Sequence, residues 1–151
     1  MESFTEIKRA LFSERMNRPE CSDAVPATLL IIDDNVDISD ALACLLKSSY
    51  SVISCLNYEE AKSRLIPEIK VVLLDIKMAG KDGIEVFKLL KAEREDLRIV
   101  FHSAYPGSSE KAAEIEHLPH SGYLTKGEYD TPKLLRTVEA ALNPQNSESE
   151  S

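Results

Sequence analysis

The residues of this chain best suited to chemistry stand at or just past the ends of four apolar runs. Asp33 and Asp34 follow Thr28–Ile32, Asp75 follows residues 71–74, Ser103 closes residues 98–103, and Lys126 comes after residues 122–125. Three carboxylates meeting in one crevice repel one another unless positive charge lies among them. A hard divalent cation supplies it, since Mg²⁺ prefers oxygen ligands in near-octahedral geometry and keeps several waters. An ammonium and a hydroxyl beside it suit a phosphoryl group, one as charge partner and the other as hydrogen-bond donor. Taken singly, each residue has a plainer role: an Asp after a strand caps a helix, Ser103 is a loop hydroxyl, and Lys126 is a surface charge. The chemistry therefore depends on elements that bring all of them to one place.

Those elements are legible in the spacing. Runs of four apolar residues without alternation, as in residues 28–32, 71–74 and 98–101, predict strands covered on both faces, the habit of parallel sheets. Residues 122–124 predict a shorter strand, and residues 50–56 a more mixed one of the kind found at a sheet edge. Between them lie helical segments. Val36, Ala41, Leu42, Leu45 and Leu46 share much of one face. Residues 58–66 predict a short helix stopped by Pro67. Ile84, Val86, Phe87, Leu89 and Leu90 form a fuller stripe, and residues 110–118 a weaker, polar helix. Thr131 and Pro132 open a last helix, whose buried side is Leu134, Leu135, Val138 and Leu142. Five β-α repeats with short connections call for an open parallel α/β sheet with helices on both faces. Such sheets bind ligands beyond the carboxyl ends of their strands, where the polar residues gather.

In this order the residues resemble the receiver domain of bacterial response regulators. The matching pieces are Asp33-Asp34, Asp75, the loop from Met78 to Gly83, Ser103-Ala104, and Tyr123 three residues before Lys126. The resemblance covers residues 27–143 and implies a flavodoxin-like five-stranded sheet of order 2-1-3-4-5. It implies that Asp75 is the phosphoacceptor, taking a phosphoryl group from a histidine kinase or histidine phosphotransfer protein. Asp34, Asp75 and the backbone carbonyl of Lys77 would ligate Mg²⁺ directly, with Asp33 holding a water of its shell. Lys126 would neutralise the transferred oxygens, Ser103 would donate to one of them, and Tyr123 would rotate with Ser103 as a switch. Output would then pass by protein contact through the fourth helix, fifth strand and fifth helix. Lys77 and Tyr105 take positions that in the family flank the path of hydrolytic water, and are expected to tune the lifetime of the phosphoryl state.

Two departures stand out. Ala79 and Gly127 occupy positions where the family usually carries proline, the second joined to the lysine by a cis peptide. Glycine permits either isomer's geometry, so the reach of Lys126 is left to the structure. Asp82-Gly83 reads as a helix cap, and Tyr105-Pro106-Gly107 as a turn. His102 is expected to pack on the face opposite Ser103, and His117 and His120 to face solvent.

Composition narrows the function further. The 151 residues carry a formal net charge of -8, which disfavours direct binding to nucleic acid or to anionic membrane. Cys21, Cys44 and Cys55 make no disulfide or zinc pattern and suit a reducing cytoplasm, with Cys44 and Cys55 expected to be buried. No apolar run is long enough to span a membrane. Residues 1–26 predict a short amphipathic helix over 5–16 and a linker, with a poorly ordered leader as the competing reading. Residues 144–151 read as a disordered acidic tail. The length has room for a receiver and no output domain, so the chain is expected to act alone, catalysing its own phosphotransfer and autodephosphorylation without being a conventional enzyme. A degenerate receiver serving as a phosphorylation-independent interaction module is the alternative. A dehalogenase-type phosphatase fits less well, because it wants an Asp-x-Asp pair and a cap insertion.

Overall fold

The computed structural model describes residues 27–143 apart from Ala79 and Gly107, so the expectations for residues 1–26, for Cys21 and for residues 144–151 lie outside it. Five strands, β1 (Thr28–Ile32), β2 (Ser51–Cys55), β3 (Ile69–Leu74), β4 (Arg98–Ser103) and β5 (Gly122–Thr125), alternate with five helices. These are α1 (Val36–Leu46), α2 (Tyr58–Ser63), α3 (Gly83–Glu93), α4 (Glu110–Glu116) and α5 (Thr131–Leu142). All strand pairings are parallel, in the order β2-β1-β3-β4-β5, the flavodoxin-like arrangement. Every residue of β1 is buried, and β3 exposes only Lys70. At the edge, β2 keeps only Cys55 fully buried. The unalternating runs thus sit in the middle of the sheet, where both faces are covered.

The sheet divides the core in two. On one face, Tyr58 and Ala61 of α2, Val86, Phe87 and Leu90 of α3 and Ile115 of α4 close over Leu30, Val72 and Phe101. On the other, Leu42 and Leu46 of α1 and Leu134, Val138 and Ala141 of α5 close over Leu29, Leu73 and Val100. Each fully buried Leu or Ile contributes about 1.5–3 kcal/mol over an exposed one.

Local chemistry sets the helix starts. Asn35, Asn57, Asp82, Ser109 and Asp130 each accept a main-chain N–H of the helix they precede. Some expectations are corrected. The buried stripe of α1 is Ser39, Leu42 and Leu46, at spacings of three and four, whereas Val36 and Leu45 lie on its flank, 52% and 39% exposed. Cys44 is exposed and only Cys55 is buried. Helix α2 ends at Ser63 and α4 at Glu116, each short of the predicted end, because both close in tight turns that precede Pro67 and Pro119.

Candidate functional site

The site is built by continuing the sheet ladder one residue past the strand ends. The Asp33 N–H donates to the Cys55 carbonyl (3.1 Å), the Asp75 N–H to Ile32 (2.9 Å) and the Lys126 N–H to Ser103 (2.7 Å). These bonds fix the backbones of three candidate residues before any side chain is considered. Chain order reverses at β1, which has β2 on one side and β3 on the other, so Asp33 and Asp75 flank the crevice where ligands bind in open α/β sheets.

Asp33 and Asp75 are 1% and 3% exposed. The Lys126 ammonium lies between them, 3.1 Å from Asp33 Oδ2 and 3.2 Å from Asp75 Oδ1. Asp33 Oδ1 accepts the Asn35 N–H at 2.9 Å, while buried Oδ2 has the ammonium as an ionic neighbour but no partner in hydrogen-bonding geometry. Asp34, exposed, completes the cluster: one oxygen from each of the three carboxylates falls within 4.8 Å of the others. Hard oxygen donors, a buried oxygen short of partners and an open side fit Mg²⁺. Lys77 follows in the loop after β3, with its side chain in solvent. Ser103 is fully buried at the end of β4, and its Oγ accepts the Tyr105 N–H at 2.9 Å.

The family model for the response regulator receiver domain matches residues 29–139. The chain belongs to that family. Receivers are the phosphoryl-accepting signalling domains of two-component systems, working with histidine kinases or phosphotransfer proteins and with output domains, and are not conventional enzymes. The sensory transduction protein LytT of Bacillus subtilis is 32% identical over 114 residues, 73% of this chain and 46% of LytT. The chain thus spans about half the length of that relative. A receiver from Methanospirillum hungatei superposes with a TM-score of 0.71 at 22% identity, covering 82% of this chain and 99% of that one. TrrA of Thermotoga maritima, solved with Mg²⁺ and beryllofluoride, has a TM-score of 0.66 at 25% identity, covering 76% and 98%.

Burial and the Asp33 carboxylate together push the Asp75 carboxyl of this receiver up to about 6, against the pull of Lys126. Unfolded, the group titrates near 3.8. Between those values the folded state holds a proton that the unfolded state has released, so stability is full below the lower value and is lost as pH rises through the upper one. Asp75→Asn is therefore expected to be more stable than wild type at pH 8 without metal, by on the order of 2 kcal/mol. That advantage should vanish at pH 4 and shrink when Mg²⁺ is added; thermal melts of both proteins across pH 4–8 check it, and a constant difference would refute the assignment.

On the α2/α3/α4 face, Tyr123 is half-buried and its phenol donates to the Tyr105 carbonyl at 2.8 Å. The Tyr105 peptide is thereby joined to Ser103 through its N–H and to Tyr123 through its carbonyl. The sequence offers Tyr105 as a side chain and as the start of a turn, and no residue-type signal marks a main-chain link. Among the described residues no peptide is cis; Gly127 takes φ of +80°. His102 packs at 3% exposure on the α1/α5 face, with burial first among the causes holding its imidazole down near 4. His120 is half-buried rather than solvent-facing, edge-on to Phe101 and accepting the Gly122 N–H. Asp82 caps α3 as expected, and also pairs with Lys111 of α4 at 3.3 Å.

The residue missed most plainly is Gly83. Its N–H donates to the Ile76 carbonyl at 2.8 Å, and a Cβ built on it would lie 2.5 Å from both the Asp75 carbonyl oxygen and Ile76 Cα. The signal is an Asp-Gly pair opening a helix, with the glycine eight residues after Asp75; it predicts the cap and not the close approach.

Proposed function

We propose that residues 27–143 form a phosphorylation-switched receiver in which Asp75 accepts a phosphoryl group from a histidine kinase or phosphotransfer protein. The observation that carries this reading is the single ammonium held between two buried carboxylates at the sheet's switch point.

A carboxylate oxygen of Asp75 attacks the phosphorus of a phosphohistidine in line, and the phosphorus–nitrogen bond breaks as the new oxygen–phosphorus bond forms. The ladder bond at its N–H holds Asp75 in place, and Lys126 sits where it meets charge on the transferred oxygens, so positioning and electrostatics do most of the work. Asp33, Asp34, Asp75 and the Lys77 carbonyl would hold Mg²⁺, which when bound supplies further positive charge to those oxygens. Ser103 turns its hydroxyl to a phosphoryl oxygen, and Tyr123 follows, altering the face made by α4, β5 and α5. Output is contact with another protein at that face. Lys77 and Tyr105 adjust how long the phosphoryl group lasts. The acidic net charge turns the chain away from nucleic acid and anionic membrane. Among the described residues no helix is long and apolar enough to cross a membrane. Exposed Cys44 and buried Cys55 are free thiols, and we assign the chain to the cytoplasm.

Incubation with acetyl phosphate and Mg²⁺, followed by intact-mass measurement, tests the reading. Wild type should gain one labile phosphoryl group and Asp75→Ala none. A wild type that gains nothing with acetyl phosphate or with phosphoramidate would instead make the chain a phosphorylation-independent interaction module.

A further inference from the structure

The turn that carries Lys126 has glycine at its second position. After Lys126 comes Gly127, exposed and at φ +80°, then Glu128, whose N–H returns to the Thr125 carbonyl at 3.0 Å. A Cβ at Gly127 would project into open space, with no heavy atom within 4 Å. A lysine whose ammonium lies between two carboxylates is thus mounted at the start of a turn whose second residue is an exposed glycine.

At the far end of the turn, just before the Asp130 cap of α5, Tyr129 fastens it to the sheet. Its hydroxyl lies 2.8 Å from Nε2 of His102, and the two rings meet edge to face with centroids 5.5 Å apart. His102 is a residue of β4, 3% exposed and paired across the ladder with Leu124 of β5, so its ring is a fixed point of the sheet. It is also adjacent to Ser103, whose carbonyl holds the Lys126 N–H. The turn is therefore gripped at both ends by consecutive residues of one strand: Ser103 through main chain at Lys126, and His102 through its side chain at Tyr129. The other ring nitrogen, Nδ1, is buried with no hydrogen-bond partner among the described residues. The imidazole thus keeps one hydrogen bond, and it spends that bond on Tyr129. His102, Tyr129, Lys126 and Gly127 line one groove with Ile38 and Leu42 of α1, which places the tether beside the lysine.

We propose that His102 and Tyr129 are positioning residues that hold the Lys126 ammonium at Asp75 by clamping the turn that follows it. The proposal rests on the reading of Lys126 as the charge that meets the transferred phosphoryl group. Neither residue touches the reacting atoms; both act through the lysine. A buried histidine retained at the cost of an unpaired ring nitrogen is explained by the clamp and not by packing, which an aliphatic side chain would satisfy without that cost.

The test is a double-mutant cycle. Tyr129→Phe keeps the ring and removes the hydroxyl. Initial rates of Asp75 phosphorylation by acetyl phosphate with Mg²⁺, read by intact mass, are compared for wild type, Tyr129→Phe, Lys126→Ala and the double variant. The first substitution should slow wild type about fivefold and leave Lys126→Ala unchanged. Equal slowing in both backgrounds, or none in either, overturns the proposal. His102→Gln, which can still meet the phenol, should retain more of the rate than His102→Leu; equal rates count against the clamp. A second measurement needs no phosphoryl transfer: in lysine-labelled protein, the Lys126 ¹³Cε signal should move in Tyr129→Phe while signals of lysines remote from the turn stay in place. If wild type takes up no phosphoryl group yet that signal moves, the acceptor reading fails and the clamp stands. An unmoved signal sinks the clamp.

Discussion

Gly83→Ala is expected to be among the most damaging single-methyl additions to this protein, costing about 3 kcal/mol of stability and lowering Tm by roughly 10 °C. The added Cβ would meet the Asp75 carbonyl oxygen and Ile76 Cα at 2.5 Å. Both are main-chain atoms, so no rotamer change relieves the clash. Helix α3 would have to lift away, breaking the 2.8 Å bond from the Gly83 N–H to the Ile76 carbonyl, or the loop after β3 would have to shift. Either movement displaces Asp75, so phosphoryl uptake should fall along with stability. Gly80→Ala is the contrast. Nothing lies within 4 Å of a Cβ there, and only its φ of +88° resists substitution, at a cost of about 1–2 kcal/mol. Thermal melts of the two variants separate steric from conformational demand. A Gly83→Ala protein that melts with wild type would show that α3 is not pressed against the loop after β3.

Lys126→Ala should reduce the rate of Asp75 phosphorylation by about 10²–10³, the usual loss when a preorganised charge or donor at the reacting oxygens is removed. The same substitution leaves two buried carboxylates facing each other without the ammonium that lies 3.1 and 3.2 Å from them. Lys126 is one of the groups holding the Asp75 carboxyl down, so its loss drives that group further up. At neutral pH without metal the variant should therefore be less stable than wild type, and acid should narrow the gap. Added Mg²⁺ should recover the stability and leave the rate low. Recovery of both by metal would assign the charge-neutralising role to the cation alone and leave Lys126 a structural ion pair.

Much of this is legible in the residues themselves, for identifiable reasons. Short continuous apolar runs bounded by polar residues fit strands buried on both faces, which is why β1, β3 and β4 were legible from residues 28–32, 71–74 and 98–101, whereas the sheet order came from the resemblance to receivers. The gathering of Asp33, Asp34 and Asp75 followed from topology, because parallel strands present their carboxyl ends at one edge. What escaped was anything carried by approach distance or by main-chain atoms. Val36 and Leu45 share the apolar character of Leu42 and Leu46, and only the direction in which α1 crosses the sheet separates flank from core. Gly83 was readable as a helix opener but not as a close contact. His102 was expected to pack, and it does, but a pairing with Tyr129 across 27 residues of chain has no local signature.

The Tyr105 peptide has a consequence for how this protein can change over time. Its N–H holds the Ser103 hydroxyl and its carbonyl holds the Tyr123 phenol, and neither atom belongs to a side chain. Every amino acid except proline offers the same pair, so the link itself makes no demand on the identity of the side chain at position 105. An alanine scan would pass over the link entirely. The side chain at 105 packs against the core on its own account, and the link between Ser103 and Tyr123 does not depend on it.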